Sequence, residues 1–251
     1  MKTVIAPEYK STEALINRAM EGEVSPVAIL RDKTRNYVYL IQEDGHRWIV
    51  KRYGRPNIIN RFAYGLFRSS KARRAYENAL KLTGYGVMTA RPIAYADFKH
   101  HGLNEGGCFI SEFINAPLLF DLYDLQWSAD EKKLICEDLA RFTYNLHSKG
   151  IYPHDYNPGN LFYIKQPDGH YTFAIIDINR MKFGHVPDIR QAMASFSQLG
   201  LCDAECDMVL SVYAPLRGFS VEECKRLLLD HRRRYYRKKE RIRRLKNLIR
   251  G

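Results

Sequence analysis

The residues of this chain best arranged for chemistry are Asp155 and Asn160, a carboxylate and a carboxamide five positions apart on a stiff turn, within YPHDYNPGNLFYI at 152–164. Asn157, Pro158 and Gly159 between them favour a turn and forbid a helix, and Leu161-Phe162-Tyr163-Ile164 reads as a strand leaving it. A second apolar run, Phe173-Ala174-Ile175-Ile176, ends on Asp177, where a strand gives way to an exposed loop. If the two strands form a hairpin, the 155–160 turn comes beside Asp177. Asn160 and Asp177 would then supply two oxygen ligands suited to a hard cation such as Mg2+. Asp155, not needed for the metal, would be a base that accepts a proton from an attacking hydroxyl. Taken singly, the same residues are ordinary turn formers and strand-end caps.

Such groups need a scaffold, and the rest of the chain outlines one. Residues 27–30, 37–41 and 47–53 read as three consecutive antiparallel strands, the last two joined at Asp44-Gly45, a strong hairpin signal. A helix-rich region follows over about 60–82 and is ended by Gly84 and Gly86. Residues 91–96 and 108–113 read as two more strands, separated by a polar loop at 97–107. This predicts a five-stranded sheet with one long helix after the third strand. The second half changes character. Ser128 to Glu131 resembles a capping box opening a helix that runs to about Lys149, where Gly150 stops it, and the pattern from Pro187 onward is helical. The expected fold class is α+β: an antiparallel sheet lobe with one main helix over 1–115, a mostly helical lobe over 116–230 carrying the turn and Asp177, and a basic tail over 231–251.

Composition narrows the class. With 251 residues, 45% hydrophobic and 27% charged, the chain has globular values and ample core. Val4-Ile5-Ala6 is too short an apolar run for a signal peptide, and no stretch approaches the ~18 apolar residues of a membrane span, so a cytoplasmic location is expected. Five cysteines are an odd number without regular spacing; Cys202 and Cys206 lack a second pair, so free thiols are expected rather than a zinc site. Residues 231–250 hold 11 Lys or Arg against one Glu, +10 of the chain's net +12. The basicity is a property of the tail.

The D-x4-N turn followed by a strand-end Asp resembles the protein-kinase-like phosphotransferases, and HDYNPGNLF is similar to the HGDxxPGN-type loop of their small-molecule members. Trp48-Ile49-Val50-Lys51 is similar to the strand whose lysine holds the α- and β-phosphates of the nucleotide. Within that superfamily, SSKARRAYENALKLTGYGVMTARPIAY (69–95), FISEF (109–113), DYNPGN (155–160) and IIDINRMKFG (175–184) together resemble the lipopolysaccharide kinase family of Kdo kinases and core heptose kinases, over roughly residues 25–200. The resemblance implies ATP and Mg2+, and transfer of the γ-phosphate to a sugar hydroxyl on the inner core of a lipid-A-linked acceptor, Kdo or heptose. It implies Asp155 as the base, Asn160 and Asp177 as metal ligands, and Lys51 as the phosphate-binding lysine, ion-paired to Glu77. Glu112 and Phe113 would form the hinge passing the adenine.

The chain also departs from that pattern. Pro153 stands where His is usual, with His154 directly before the Asp; His147 and His154 read as structural. Ile178-Asn179 replaces Phe-Gly, so switching of the protein-kinase kind is not expected. The 31–36 turn has no glycine, so Lys33 and Arg35 would cover the phosphates where backbone amides normally do, or the turn is simply solvated. Glu77 has a rival reading as a surface pair with Lys81.

From Val221 the pattern predicts one helix to about Arg250, with Tyr235, Ile242, Leu245 and Ile249 as a narrow apolar stripe on a basic rod. An anionic inner-membrane surface, at ~1 kcal/mol per basic residue close to it, or the acceptor's phosphates would suit such a rod. Nucleic acid is the less supported partner, because no groove-reading or base-stacking motif accompanies the charge. Peripheral attachment to the inner face of the cytoplasmic membrane is the expectation. The competing functions are a kinase for another small-molecule or protein Ser/Thr acceptor, and a pseudokinase acting as a binding module.

Overall fold

In the computed structural model, which describes residues 2–33, 36–54, 69–100, 103–120 and 127–250, the chain divides into two compact units. The first comprises Met1–Asn115 together with Ile175–Arg180; the second comprises Ala116–Ala174 and Met181–Gly251.

The first unit is built on an antiparallel sheet of six strands: β1 Lys2–Ile5, β2 Ala28–Lys33, β3 Asn36–Glu43, β4 His46–Tyr53, β5 Pro92–His100 and β6 Leu103–Glu112. Their spatial order is β1-β5-β6-β4-β3-β2. Strands β2 to β4 are the expected meander. Asp44 and Gly45 close the β3–β4 hairpin at φ of 51° and 78°, the paired positive values that a tight two-residue loop needs. Ile16, Ile41, Trp48, Val50, Ile93 and Ile110 make the centre of the core, each at most 2% exposed.

The sheet has one strand more than the five expected. β1 pairs with β5 at the edge, Val4 opposite Tyr95, and its four residues are too few to show an alternation. Helix α1, Glu13–Glu21, was also not anticipated; it buries Leu15, Ile16, Ala19 and Met20 and ends at Gly22, whose φ is 87°. The polar loop expected at 97–107 is instead mostly strand, with Asp97 opposite Gly107 and Phe98 opposite Gly106. The glycines there serve a close approach. A Cβ on Gly106 would lie 2.4 Å from the Tyr53 carbonyl oxygen, so β6 passes the end of β4 only without a side chain. Helix α2, Lys71–Gly84, opens where Ser70 accepts the Arg73 amide at 3.0 Å. The earlier part of the expected helix-rich region, 60–68, lies outside the described residues.

The second unit contains α3 Ala129–Ser148, the strand pair β7 Leu161–Lys165 and β8 Tyr171–Ile175, and helices α4 Ile189–Phe196, α5 Asp203–Leu216 and α6 Val221–Arg250. Ser128 caps α3 by accepting the Glu131 amide at 3.2 Å. Glu131 does not return the bond. Its carboxylate accepts from Lys165 Nζ at 2.6 Å and Tyr171 Oη at 3.0 Å, so half of the expected capping box ties the helix to the strand pair instead. Asp138, buried on the same helix, accepts the Tyr171 amide at 2.8 Å and secures the other side. Cys224, Leu227 and Leu228 bury one face of α6, while further along Tyr235 and Ile242 are 42% and 44% exposed. No helix among the described residues is long and apolar enough to cross a membrane. All five cysteines are free thiols, and burial pushes Cys108 and Cys136 up to about 12.

Candidate active site

In the first unit the site begins with β4. Trp48 and Val50 face the core, so the strand's period of two turns Lys51 to the other face. Its Nζ donates to Asp177 Oδ1 at 2.6 Å and lies 5.6 Å from the Tyr53 ring centroid. Burial, and after it the Asp177 carboxylate, pushes the Tyr53 hydroxyl well above its ordinary pKa, so that ring stays neutral.

Asp177 has φ 55°; it and Asp44 are the two non-glycine residues at positive φ among the described residues. For an L-residue that conformation survives only where the surroundings hold it. Here they do so from both sides. Before Asp177, the Ile175 amide donates to the Met88 carbonyl at 3.0 Å and Thr89 Oγ1 donates to the Ile175 carbonyl at 2.6 Å. After it, Asn78 Nδ2 donates to the Ile178 carbonyl at 2.8 Å and Arg74 Nε to the Asn179 carbonyl at 3.0 Å. Asn179 Nδ2 then returns to Asp177 Oδ1 at 2.7 Å. These bonds explain two corrections. The segment bearing Asp177 belongs to the first unit, not to the helical region where the sequence reading placed it. Glu77 is not the partner of Lys51: its carboxylate accepts from Arg73 Nε at 2.7 Å, one turn back on α2. The local pair requires no long-range closure, and the lysine is already matched by Asp177.

At the expected hinge, Glu112 and Phe113 end β6. Both amides are committed inside this unit, to the Arg91 carbonyl at 2.9 Å and the Arg47 carbonyl at 3.1 Å. Any base bound at this position would have to be recognised by groups other than those two amides. Tyr9, not singled out from sequence, donates to Glu112 Oε1 at 2.5 Å, and the Arg47 guanidinium lies 4.3 Å over the Phe113 ring. Strands β2 and β3 run up to Lys33 and Asn36, which pair, so the glycine-free turn is shorter than 31–36. Arg35 and the side chain of Lys33 lie outside the described residues.

In the second unit the 155–160 turn is a compact knot. The Asp155 carbonyl accepts from the Asn157 amide at 3.0 Å and from Asn160 Nδ2 at 2.9 Å, while Asn157 Oδ1 accepts the Gly159 amide at 3.1 Å. Pro158 starts a single 3-10 turn that delivers Asn160 to β7. Tyr156, fully buried, anchors the knot to α3: its hydroxyl and Thr143 Oγ1 are 2.7 Å apart. Thr143 already donates to the Leu139 carbonyl, so Tyr156 is the donor. Upstream, the Tyr152 and Lys182 backbones exchange two hydrogen bonds of 2.9 Å. His154 is exposed, its ring edge-on to Tyr152. His147 is wholly buried, with Nδ1 2.7 Å from Tyr213 Oη, and burial drives its pKa down to about 3. Arg217 donates to the same phenol oxygen, and His147 is a neutral, structural ring.

The donor set can be tested against Mg2+. Among the described residues no three His, Cys, Asp or Glu cluster as a cage. The Asn160 amide nitrogen is taken by the Asp155 carbonyl, so its oxygen is the end presented. The bonds from Lys51 and Asn179 both fall on Asp177 Oδ1, which leaves Oδ2 as the oxygen for a cation. Both residues have the right chemistry for a hard ion.

No family model matches the chain, and no curated protein matches it. Among solved structures, one described as WaaP in complex with acyl carrier protein aligns with 94% of this chain and 99% of its own, at 16% identity and a TM-score of 0.66. The likeness shows the fold. The α+β architecture expected from sequence, an antiparallel sheet with one main helix followed by a mostly helical part, is thus the architecture found. The fold is widespread, matching 1781 solved chains, so the acceptor has to be argued from residues.

Proposed function

We propose that the chain is an ATP-dependent kinase for a sugar hydroxyl in the inner core of lipopolysaccharide, Kdo before heptose. The observation that carries the reading is the Lys51–Asp177 pair, a strand lysine bonded to a strand-end carboxylate that the fold holds in a left-handed conformation. Strain of this kind is retained where it serves a task, and phosphoryl transfer is a task of positioning and charge neutralisation.

In this reading Asp155 accepts the hydroxyl proton as the sugar oxygen bonds to the γ-phosphorus. The bond from that phosphorus to the β–γ bridging oxygen breaks, and ADP leaves. Lys51 balances the charge of the α- and β-phosphates. Mg2+, when bound by Asn160 and Asp177, would neutralise the β- and γ-phosphates. Binding would replace the single Lys51–Asp177 pair by lysine–phosphate and carboxylate–metal contacts, so no charge is left unmatched. The basic end of α6 suits peripheral attachment beside an anionic, membrane-anchored acceptor.

The test is transfer of labelled γ-phosphate from Mg-ATP to a Kdo-containing lipid A precursor, comparing the wild type with Asp155→Ala. Transfer that disappears in the variant is expected; transfer that survives it sinks the assignment of the base. One observation favours a second reading, a nucleotide-binding module without turnover: Glu77 is engaged by Arg73 instead of Lys51. Tight Mg-ATP binding with no phosphoryl transfer to Kdo, heptose or water would select that reading.

A further inference from the structure

We infer that Asn78 and Arg74 of α2, together with Asn179, are positioning residues that set the metal-binding carboxylate of Asp177, in place of a lysine–glutamate bridge. The inference rests on the phosphotransfer reading above.

Arg74 and Asn78 stand one turn apart on a single face of α2 and reach successive carbonyls, those of Asn179 and Ile178. These carbonyls directly follow Asp177. With the Ile175 peptide fixed by Met88 and Thr89, the backbone is clamped on both sides of the left-handed residue. Asn78 is 7% exposed, so its amide and the carbonyl it meets have little water to fall back on, and the bond is costly to remove. Asn179, 8% exposed, closes the arrangement by holding the carboxylate itself. Lys51 reaches the same oxygen. Two groups, Asn179 and Lys51, therefore hold the carboxylate itself, while Arg74 and Asn78 hold the backbone that follows it.

Helix α2 thus reaches the metal loop through side chain to backbone bonds, not through an ion pair. Glu77 is instead more than a third exposed and bonded to Arg73. Metal binding should consequently depend on Asn78 and Asn179 and be indifferent to Glu77. A purely packing role for Asn78 would lower stability without changing how the metal is held.

The experiment is Mn2+ titration of the full chain, followed by electron paramagnetic resonance, in the presence of a non-hydrolysable ATP analogue. Affinity for the analogue without metal is measured alongside. Asn78→Leu and Asn179→Ala are expected to weaken Mn2+ binding about tenfold, in line with other groups that orient a metal ligand. Metal-free analogue binding should stay within about twofold, and Glu77→Ala should leave both quantities within the same margin, since it removes only an exposed pair. If Asn78→Leu does not fold, Asn78→Ser and Asn179→Ala carry the test. Folded variants with wild-type Mn2+ affinity, or a Glu77→Ala loss as large as theirs, would overturn the inference alone. A wild-type chain that binds no analogue, with or without Mn2+, overturns the phosphotransfer reading and this inference with it.

Discussion

Replacing Asp177 by alanine and by glycine should invert the usual order of stability. At ordinary negative φ, alanine is the more stable of the two by roughly 0.5–1 kcal/mol, because glycine loses more freedom on folding. At the φ of 55° found here the Cβ of alanine meets the following carbonyl, at a cost of about 1–2 kcal/mol that glycine does not bear. The difference leaves Asp177→Gly more stable than Asp177→Ala by about 0.5–1 kcal/mol. Both variants strand Lys51, whose side chain is 14% exposed, but that loss is common to the two and cancels in the comparison. Relative to the wild type each should fall by roughly 1–3 kcal/mol, the range for a part-buried pair broken on one side. The chain has two tryptophans, and Trp48 is 2% exposed in the core of the first unit. Urea unfolding in a Trp127→Phe background, read by the remaining indole, therefore reports on the unit that holds Asp177. An alanine variant as stable as the glycine variant would mean that Asp177 is not left-handed in solution, and the argument from its strain would be lost.

Two further outcomes follow from other parts of the molecule. His147 is neutral in the folded state, with its pKa lowered to about 3, whereas the unfolded chain protonates near 6.5, so the unfolded state binds the extra proton first and stability falls as pH drops below 6.5. Between pH 7.5 and 5 this amounts to about 2 kcal/mol, and the same slope should be missing from His147→Phe when unfolding is followed by Trp127; an unchanged slope would refute it. Removing residues 233–251, beyond the buried Cys224, Leu227 and Leu228, should abolish co-sedimentation with phosphatidylglycerol vesicles, and added salt should weaken the binding of the full chain. Equal binding of the shortened chain, or equal binding to neutral vesicles, would remove α6 from any membrane role.

The parts of the fold that could be read from sequence are those whose signal is local. Asp44-Gly45 declared its hairpin, Ser128 and Gly150 bracketed α3, and the knot at 155–160 is held by contacts within six residues, as its turn formers suggested. β1 could not be read, because four residues carry no period, and the glycines at 106 and 107 looked like a loop although they serve a close strand crossing. α1 does carry a signal, apolar residues at 15, 16, 19 and 20 closing on Gly22, but over nine residues it is weaker than that of the strands that follow. Tyr156 was equally visible and equally silent: nothing in its neighbourhood says that its hydroxyl would find Thr143.

The site shows the same division more sharply. The types and strand positions of Lys51 and Asp177 were legible, but their bond spans 126 positions, and no spacing rule chooses a lysine's partner at that distance. Glu77 shows why. The sequence offers it two partners, Lys51 and Lys81, and the residue that takes it is Arg73, four positions earlier on the same helix. A pair that the helix brings together at no further entropic cost wins over one that must be closed through the fold. Asn78 and Arg74 are the converse, polar residues on a helix that give no sign of bonding carbonyls a hundred positions away. The left-handed turn at Asp177 was hidden for the same reason. Ile176 and Ile178 on either side favour an extended chain. What imposes φ 55° is therefore tertiary, and changing it requires altering Asn78, Arg74 or Thr89 rather than the residues adjacent in sequence.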